Sequence, residues 1–192
     1  MIPIVIAVVV VLLLLLALAF NGLVRRRNRT QEAWAQIDVQ LKRRHDLIPN
    51  LIETVKGYAA HERGTFEAVT NARAAAVNAG ATGDPSQVAP AENALTQSLR
   101  SLFAVAENYP QLKAVDTFRE LQEQLTATED KIAFARQFYN TSVRDYVTAI
   151  QTFPRNLLAG AFGFQPVPYL ETDEADKAVP KVDFGGASGP SA

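Results

Sequence analysis

Histidines and carboxylates are the residues of this chain that could bind a metal ion or transfer protons, and their spacing argues against both roles. His61-Glu62 begins like the zinc-binding motif H-E-x-x-H, but Thr65 stands where the second histidine is needed. His45 lies more than four helical turns before His61, so the two rings cannot share an ion on one straight helix. A site shared between helices stays open, but we expect solvated or interfacial histidines and no metal site.

Acidic residues cluster at Glu120 and Glu123 and again at Glu129-Asp130. Carboxylates on facing helices can hold two iron ions, but that requires Glu-x-x-His pairs, and no histidine follows His61. The chain has no cysteine, and it lacks the phosphate-binding motifs G-x-x-x-x-G-K-[ST] and G-x-G-x-x-G and the nucleophile motif G-x-S-x-G. We therefore expect solvated helix faces, no catalytic residue, no cofactor and no enzymatic activity.

Three charged residues, Arg44, Glu62 and Arg73, fall on the apolar rows of the first predicted helix of the bundle. A buried charge needs a partner to be tolerable. Two interpretations remain open. These residues pair with Glu or Asp on the third predicted helix, or they mark a face left open for another subunit.

The first 24 residues form the element that positions everything else. They include 21 apolar residues, and the first charged side chain is Arg25. A helix of ~20 apolar residues crosses the hydrocarbon core of a bilayer. Ala17-Leu18-Ala19 resembles a signal-peptidase site, but no basic residue precedes the apolar run, so we expect a retained transmembrane anchor over residues 1–24. Four arginines follow it, which predicts an outside N-terminus and a cytoplasmic C-terminal part: Arg25, Arg26, Arg27 and Arg29.

Apolar residues recur every three or four positions through most of the remaining chain, which is typical of amphipathic helices. One long helix is predicted over residues 30–79, with a kink or a break at Pro49. A turn over residues 80–90 follows, with Asp84 as helix cap and Pro85 in the first helical position of a second helix that runs to about Glu107.

A third helix carries a regular apolar seam from Phe118 to Phe153, and Thr117 and Glu120 have the spacing of a capping box at its start. No strand alternation occurs, so the predicted fold is all-α. Residues 25–164 form an elongated antiparallel up-and-down bundle of three long helices, or four if the first breaks near Pro49. Residues 165–192 form a Pro/Gly-rich tail that we expect to be disordered past Phe184.

The charge of the chain bears on two further classes of function, nucleic-acid binding and lipid sensing. A formal net charge of −1 argues against a nucleic-acid-binding protein. The basic run Lys42-Arg43-Arg44 would allow the bundle to sense anionic lipid, but it lies ~20 Å or more along the helix from the span. The helix would have to lie flat on the membrane for this run to contact lipid headgroups, so we do not favour lipid sensing by it. The arginines beside the span are explained by their role in setting membrane topology.

Several segments together resemble the bacterial LemA family, over about residues 21–170. They are residues 36–51 (QIDVQLKRRHDLIPNL), 55–62 (VKGYAAHE), 109–114 (YPQLKA), 132–140 (IAFARQFYN) and 143–146 (VRDY). The resemblance implies a single-pass protein of the bacterial inner (cell) membrane with a cytoplasmic antiparallel helical bundle. It implies no established enzyme activity and no catalytic residues, and some relatives are associated with membrane remodelling.

The leading hypothesis is a membrane-anchored scaffolding or interaction protein that self-assembles and organises or remodels the membrane. Its expected partners are membrane lipids and copies of itself, with a membrane protein as a further candidate and no nucleic acid. The alternatives are an anionic-lipid sensor, a recruiter of a membrane partner, and a helical-bundle metalloenzyme that uses His45, His61 and acidic side chains.

Overall fold

A computed structural model describes residues 1–170 of the chain. This part contains six helices and no strand: α1 (Ile2–Lys56), α2 (Arg63–Thr82), α3 (Pro85–Glu107), α4 (Pro110–Lys113), α5 (Asp116–Gln151) and α6 (Arg155–Ala161). The all-α prediction is confirmed. The disorder expected past Phe184 lies outside the described residues.

The helix α1 joins the apolar N-terminal run to the bundle without a break. Within the described residues it is the one helix long and apolar enough to cross a membrane, and no residue of its most apolar stretch is buried. The helix continues through Pro49 and ends at Lys56, before Gly57. The bundle therefore has four long helices, α1, α2, α3 and α5, and the break that creates the fourth lies at residues 57–62 rather than at Pro49.

The turn between α2 and α3 is shorter than the predicted turn over residues 80–90. Gly83 ends α2 in the left-handed conformation, with φ of +66°, where a side chain would be strained. Asp84 caps α3 as predicted and accepts a 2.9 Å hydrogen bond from the Ser86 amide. Hydrogen bonds, foremost from the Ser86 hydroxyl, also lower the pKa of the Asp84 carboxyl.

The seam of α5 is buried as predicted along its length, from Phe118 to Ile150. Two predictions for the ends of α5 are wrong. The capping box of Thr117 and Glu120 does not form, because Asp116 already begins the helix and Val115 stands at the cap position without a side-chain hydrogen bond. Phe153 lies beyond the end of α5 and is exposed rather than buried.

The long helices pack as two antiparallel pairs, α1 along α5 and α2 along α3. Three apolar cores follow one another along the bundle. The first fills the end far from the N-terminal run, around Leu51, Leu102 and Leu121. The second lies in the middle around Ile37, Ile132 and Tyr139, and the third packs Leu23 against the end of α5 and against α6. This arrangement confirms the predicted antiparallel bundle behind an N-terminal apolar helix.

Candidate functional site

Charged side chains from three helices meet in the interior of the bundle. Arg44 and His45 are adjacent on α1, and both are buried. Glu92 on α3 is completely buried, and one of its oxygens, Oε1, lies 2.8 Å from His45 Nε2. Arg44 Nη1 lies 3.5 Å from Glu92 Oε2 and 3.3 Å from Glu129 Oε2 on α5. Arg44 Nη2 donates a 2.6 Å hydrogen bond to the Thr96 hydroxyl. We call these residues the buried polar cluster: Arg44, His45, Glu92, Thr96 and Glu129.

The buried polar cluster holds three helices together. Breaking a buried ion pair leaves an uncompensated charge, which typically costs ~3–5 kcal/mol of stability. The Arg44 guanidinium contacts acceptors on α3 and α5, so it ties α1 to both helices at once. No three potential ligand side chains group closely enough to hold a metal ion anywhere in residues 1–170.

The backbone beside the buried polar cluster explains how α1 passes through Pro49. Proline has no N–H, so the carbonyl of His45, four residues earlier, loses its helical hydrogen bond. Arg73 on α2 replaces it, since its Nε donates to that carbonyl oxygen at 2.7 Å. A buried acceptor left without a donor would cost ~1–3 kcal/mol. The contact therefore links α2 to α1 and supplies the donor that Pro49 lacks.

The charged residues and histidines singled out in the sequence differ in their burial and in their partners. Arg44 is buried and paired with Glu129 on the predicted third helix, as one of the two interpretations held. Glu62 is half-buried and accepts a 3.4 Å hydrogen bond from the Tyr109 hydroxyl. His61 is exposed in the connection between α1 and α2, away from the buried His45. The two histidines are thus in different environments.

Sequence reasoning missed Glu92, although a signal was present. The apolar row of α3 has a gap of seven residues between Val88 and Leu95. Glu92 fills the gap at steps of four and three, so it lies on the buried face. The alternative lipid-sensor hypothesis also changes, because Arg44 is buried in ion pairs and only Lys42 and Arg43 of that basic run are exposed.

A shallow groove runs along the outer side of the α1–α5 pair. It has a volume of about 590 Å³ and is lined from both helices at the same spacing, by Ala35, Gln36, Val39 and Gln40 of α1 and by Asp130, Lys131, Phe134 and Ala135 of α5. Val39 and Phe134 are 61% and 73% exposed. We call this surface the outer groove.

Polar and charged residues also line the outer groove. The side-chain oxygen Oε1 of Gln40 is buried, and it has no hydrogen-bond partner within the described part of the chain. Asp130 and Lys131 bring one charge of each sign to the rim. The groove therefore combines exposed apolar side chains with two opposite charges.

Residues 164–170 form an extended strap that packs on α5. The Tyr139 hydroxyl donates to the Pro168 carbonyl at 2.9 Å, and the Tyr146 hydroxyl donates to the Gln165 carbonyl at 3.0 Å. The Asn140 side chain pairs with both backbone groups of Leu170, at 2.9 and 3.0 Å. Packing against the bundle thus extends through Leu170, six residues into the segment assigned to the tail.

Burial raises the pKa of the Tyr139 hydroxyl to about 12, and the negative charge of Asp84 adds to this shift. The Trp34 ring lies 5.4 Å from the Tyr139 ring, between their centroids. The strap is thus held by a neutral hydroxyl that donates from the middle core.

Comparison with known proteins gives consistent matches over most of the chain. The sequence model of the LemA family matches residues 33–184. Magnetosome proteins MamQ 1 and MamQ 2 of Paramagnetospirillum magneticum (strain ATCC 700264 / AMB-1) are each 26% identical, with 82% of this chain and 66% of theirs covered. The protein LemA of Metamycoplasma hominis is 26% identical, with 82% of this chain and 71% of its own covered. The chain thus spans just under two thirds of the MamQ proteins.

Proposed function

The chain belongs to the LemA family, and on that premise we propose that it is a single-pass membrane-anchored scaffold whose bundles assemble side by side through the outer groove and so organise the membrane. Family membership and the apolar start of α1 are consistent with a membrane-anchored protein. We further propose an inner-membrane location with the bundle in the cytoplasm, since Arg25, Arg26 and Arg27 follow the apolar run directly.

The exposure of Phe134 carries the proposal. A phenylalanine that is 73% exposed beside an exposed valine, in a groove between two long helices, leaves apolar surface in water. Burying such surface is worth roughly 25 cal/mol per Å². Two exposed apolar side chains grouped in one groove support an interaction site there. We take the occupant of the outer groove to be a second copy of the same chain.

Membrane anchoring favours a copy over other occupants. All copies are inserted in one orientation, so their grooves lie at the same height, about 22 Å along α1 from Val24 to Val39. A rotation axis along the membrane normal is the closed symmetry that preserves this orientation, and a two-fold axis brings the same patch to itself. In such a pair Asp130 of one copy can meet Lys131 of the other.

The test is the mass of the full-length protein extracted with its native lipid, measured by light scattering. We expect a defined assembly for the unmodified protein and single chains for Phe134→Lys, which places a charge in the groove. Val77→Lys is the matched control, since Val77 is an exposed apolar residue on α2 outside the groove. It is expected to leave the mass unchanged.

Three results would contradict self-assembly through the outer groove. The first is an unmodified protein that is always a single chain. The second is an assembly that Phe134→Lys leaves intact. The third is a different membrane protein that co-purifies at a fixed ratio and is lost in Phe134→Lys, which would assign the groove to that partner.

A further inference from the structure

The end of α5 lies level with the end of the apolar run of α1. The two helices are antiparallel, and Arg26 Nη1 donates to the Asp145 carbonyl at 3.4 Å while Thr30 Oγ1 lies 3.5 Å from the Ser142 carbonyl. Continuing this register by two helical turns places Phe153 at roughly the level of Ala19. Ala19 is still within the apolar run, which ends before Arg25. The turn after α5 therefore lies level with the last residues of the apolar run.

The helix α6 is fixed to this end of the bundle by its buried side. Leu23 of α1 is completely buried against Ile150 and Ala159. The Phe20 ring contacts the ring of Phe162, with centroids 4.9 Å apart, and that of Phe164 at 5.7 Å. Because Phe20 belongs to the apolar run, α6 and the residues after it contact the membrane segment itself.

This element also carries large apolar side chains that remain mostly exposed. Phe153, Leu157 and Phe162 are 75%, 65% and 61% exposed. Three large apolar side chains on a short turn and helix are unfavourable in water, whereas helices that lie in the membrane interface bury Phe and Leu at the boundary between headgroups and hydrocarbon. Arg155 on α6 supplies positive charge beside them. Anionic headgroups attract such basic residues.

We propose that the turn after α5 and α6 form a second membrane contact, in which Phe153, Leu157 and Phe162 insert into the leaflet from which α1 emerges. We call it the membrane-facing platform. Together with α1 it attaches the bundle at two points. A single helical span lets the bundle tilt, whereas a second contact on the same leaflet restricts the tilt. The proposal rests on the anchoring role of α1 and is independent of assembly through the outer groove.

The test uses the absence of cysteine in the chain, which lets one substitution carry one fluorescent label. The full-length protein is reconstituted in vesicles of equal parts phosphatidylcholine and phosphatidylglycerol. A polarity-sensitive label is attached at Leu157→Cys, and quenching is measured with lipids brominated near the headgroup and with aqueous iodide. We expect a blue-shifted label that brominated lipid quenches several-fold more strongly than iodide does.

Two reporters serve as controls. Gln137→Cys is exposed on α5, about 20 Å from the end of that helix, and its label is expected to respond to iodide. Leu14→Cys lies in the apolar run, and its label is expected to respond to lipid. Phe153→Cys provides an independent reporter of the platform. Adding Phe153→Asp and Phe162→Asp to Leu157→Cys should move that label into water and leave the Leu14→Cys response unchanged.

The outcomes separate the platform from the anchor. Iodide quenching at Leu157→Cys and Phe153→Cys with lipid quenching at Leu14→Cys overturns the platform alone. Lipid quenching at Gln137→Cys as well as at Leu157→Cys also overturns it, because contact would then not be confined to the platform. Iodide quenching at Leu14→Cys overturns the anchor and the platform together.

Discussion

Arg73 Nε lies 2.7 Å from the carbonyl oxygen of His45, the backbone acceptor that Pro49 leaves without its helical donor. A side chain of α2 thus completes the hydrogen bonding of α1. The contact lies next to the buried polar cluster, so the same stretch of α1 is held by α2, α3 and α5. This explains how a single helix continues from the apolar run to Lys56 despite an internal proline.

The first prediction tests the link between Arg73 and Pro49. Arg73→Leu leaves the His45 carbonyl without a donor and should lower the free energy of unfolding by ~1–3 kcal/mol. In a Pro49→Ala background the alanine N–H can bond that carbonyl, so the same substitution should cost at least about 1 kcal/mol less. Urea unfolding in micelles, followed by the fluorescence of the single tryptophan, measures both losses. Equal losses in the two backgrounds would refute the link.

The second prediction compares the two carboxylates beside Arg44. Glu92→Leu removes the completely buried one and should cost ~3–5 kcal/mol of unfolding free energy, because Arg44 and His45 remain buried. Glu129→Leu removes a partner whose side chain is partly exposed and should cost less than about 1 kcal/mol. The same urea titration compares them. Similar losses would show that Glu92 is not the main partner.

The third prediction concerns pH and the strap. Tyr139 is neutral when protonated, and its pKa is about 12 in the fold against about 10 in an unfolded chain. The stability from this group is complete below pH 10 and is lost as the pH rises from 10 to 12. Tyr139→Phe should therefore lose less unfolding free energy across this range than the unmodified protein does. Parallel pH profiles for the two proteins would contradict the assignment.

The fourth prediction uses two glycines near the turn between α2 and α3. Gly83→Ala places a side chain at φ of +66° and should lower the free energy of unfolding by ~1–2 kcal/mol. Gly80→Ala is the control, because Gly80 lies within α2 with open space around it and should gain up to ~1 kcal/mol. Thermal unfolding followed by circular dichroism should move in opposite directions for the two variants.

Local patterns predicted the helices best where one face is apolar throughout. The seam of α5 and the Asp84-Pro85 start of α3 follow from side-chain periodicity and cap chemistry, and both are present. The break after α1 was harder to place, because the hydrogen bond lost at Pro49 is replaced by Arg73 from a distant part of the chain. Helix propensity is assigned from neighbouring residues, so it does not reveal such a tertiary contact.

The candidate site shows the same limit. In the sequence, Glu92 resembles a solvent-exposed acidic residue on a helix. In the fold, α1 places Arg44 and His45 against it. The outer groove consists of residues that remain uncovered when α1 packs against α5. The residues next to Phe134 in the sequence do not indicate that it lies in such a groove. The strap was assigned to the tail because its prolines are typical of unstructured segments, whereas Tyr139, Asn140 and Tyr146 bind its backbone.

Cross-linking in isolated membranes tests assembly through the outer groove most directly. Phe134→Cys gives the chain its only thiol, and Val77→Cys gives a control thiol on α2 outside the groove. With a short bis-maleimide linker, we expect Phe134→Cys to yield a covalent dimer of the full-length chain and Val77→Cys to remain monomeric. No dimer from Phe134→Cys, or equal dimer from both, would contradict the account.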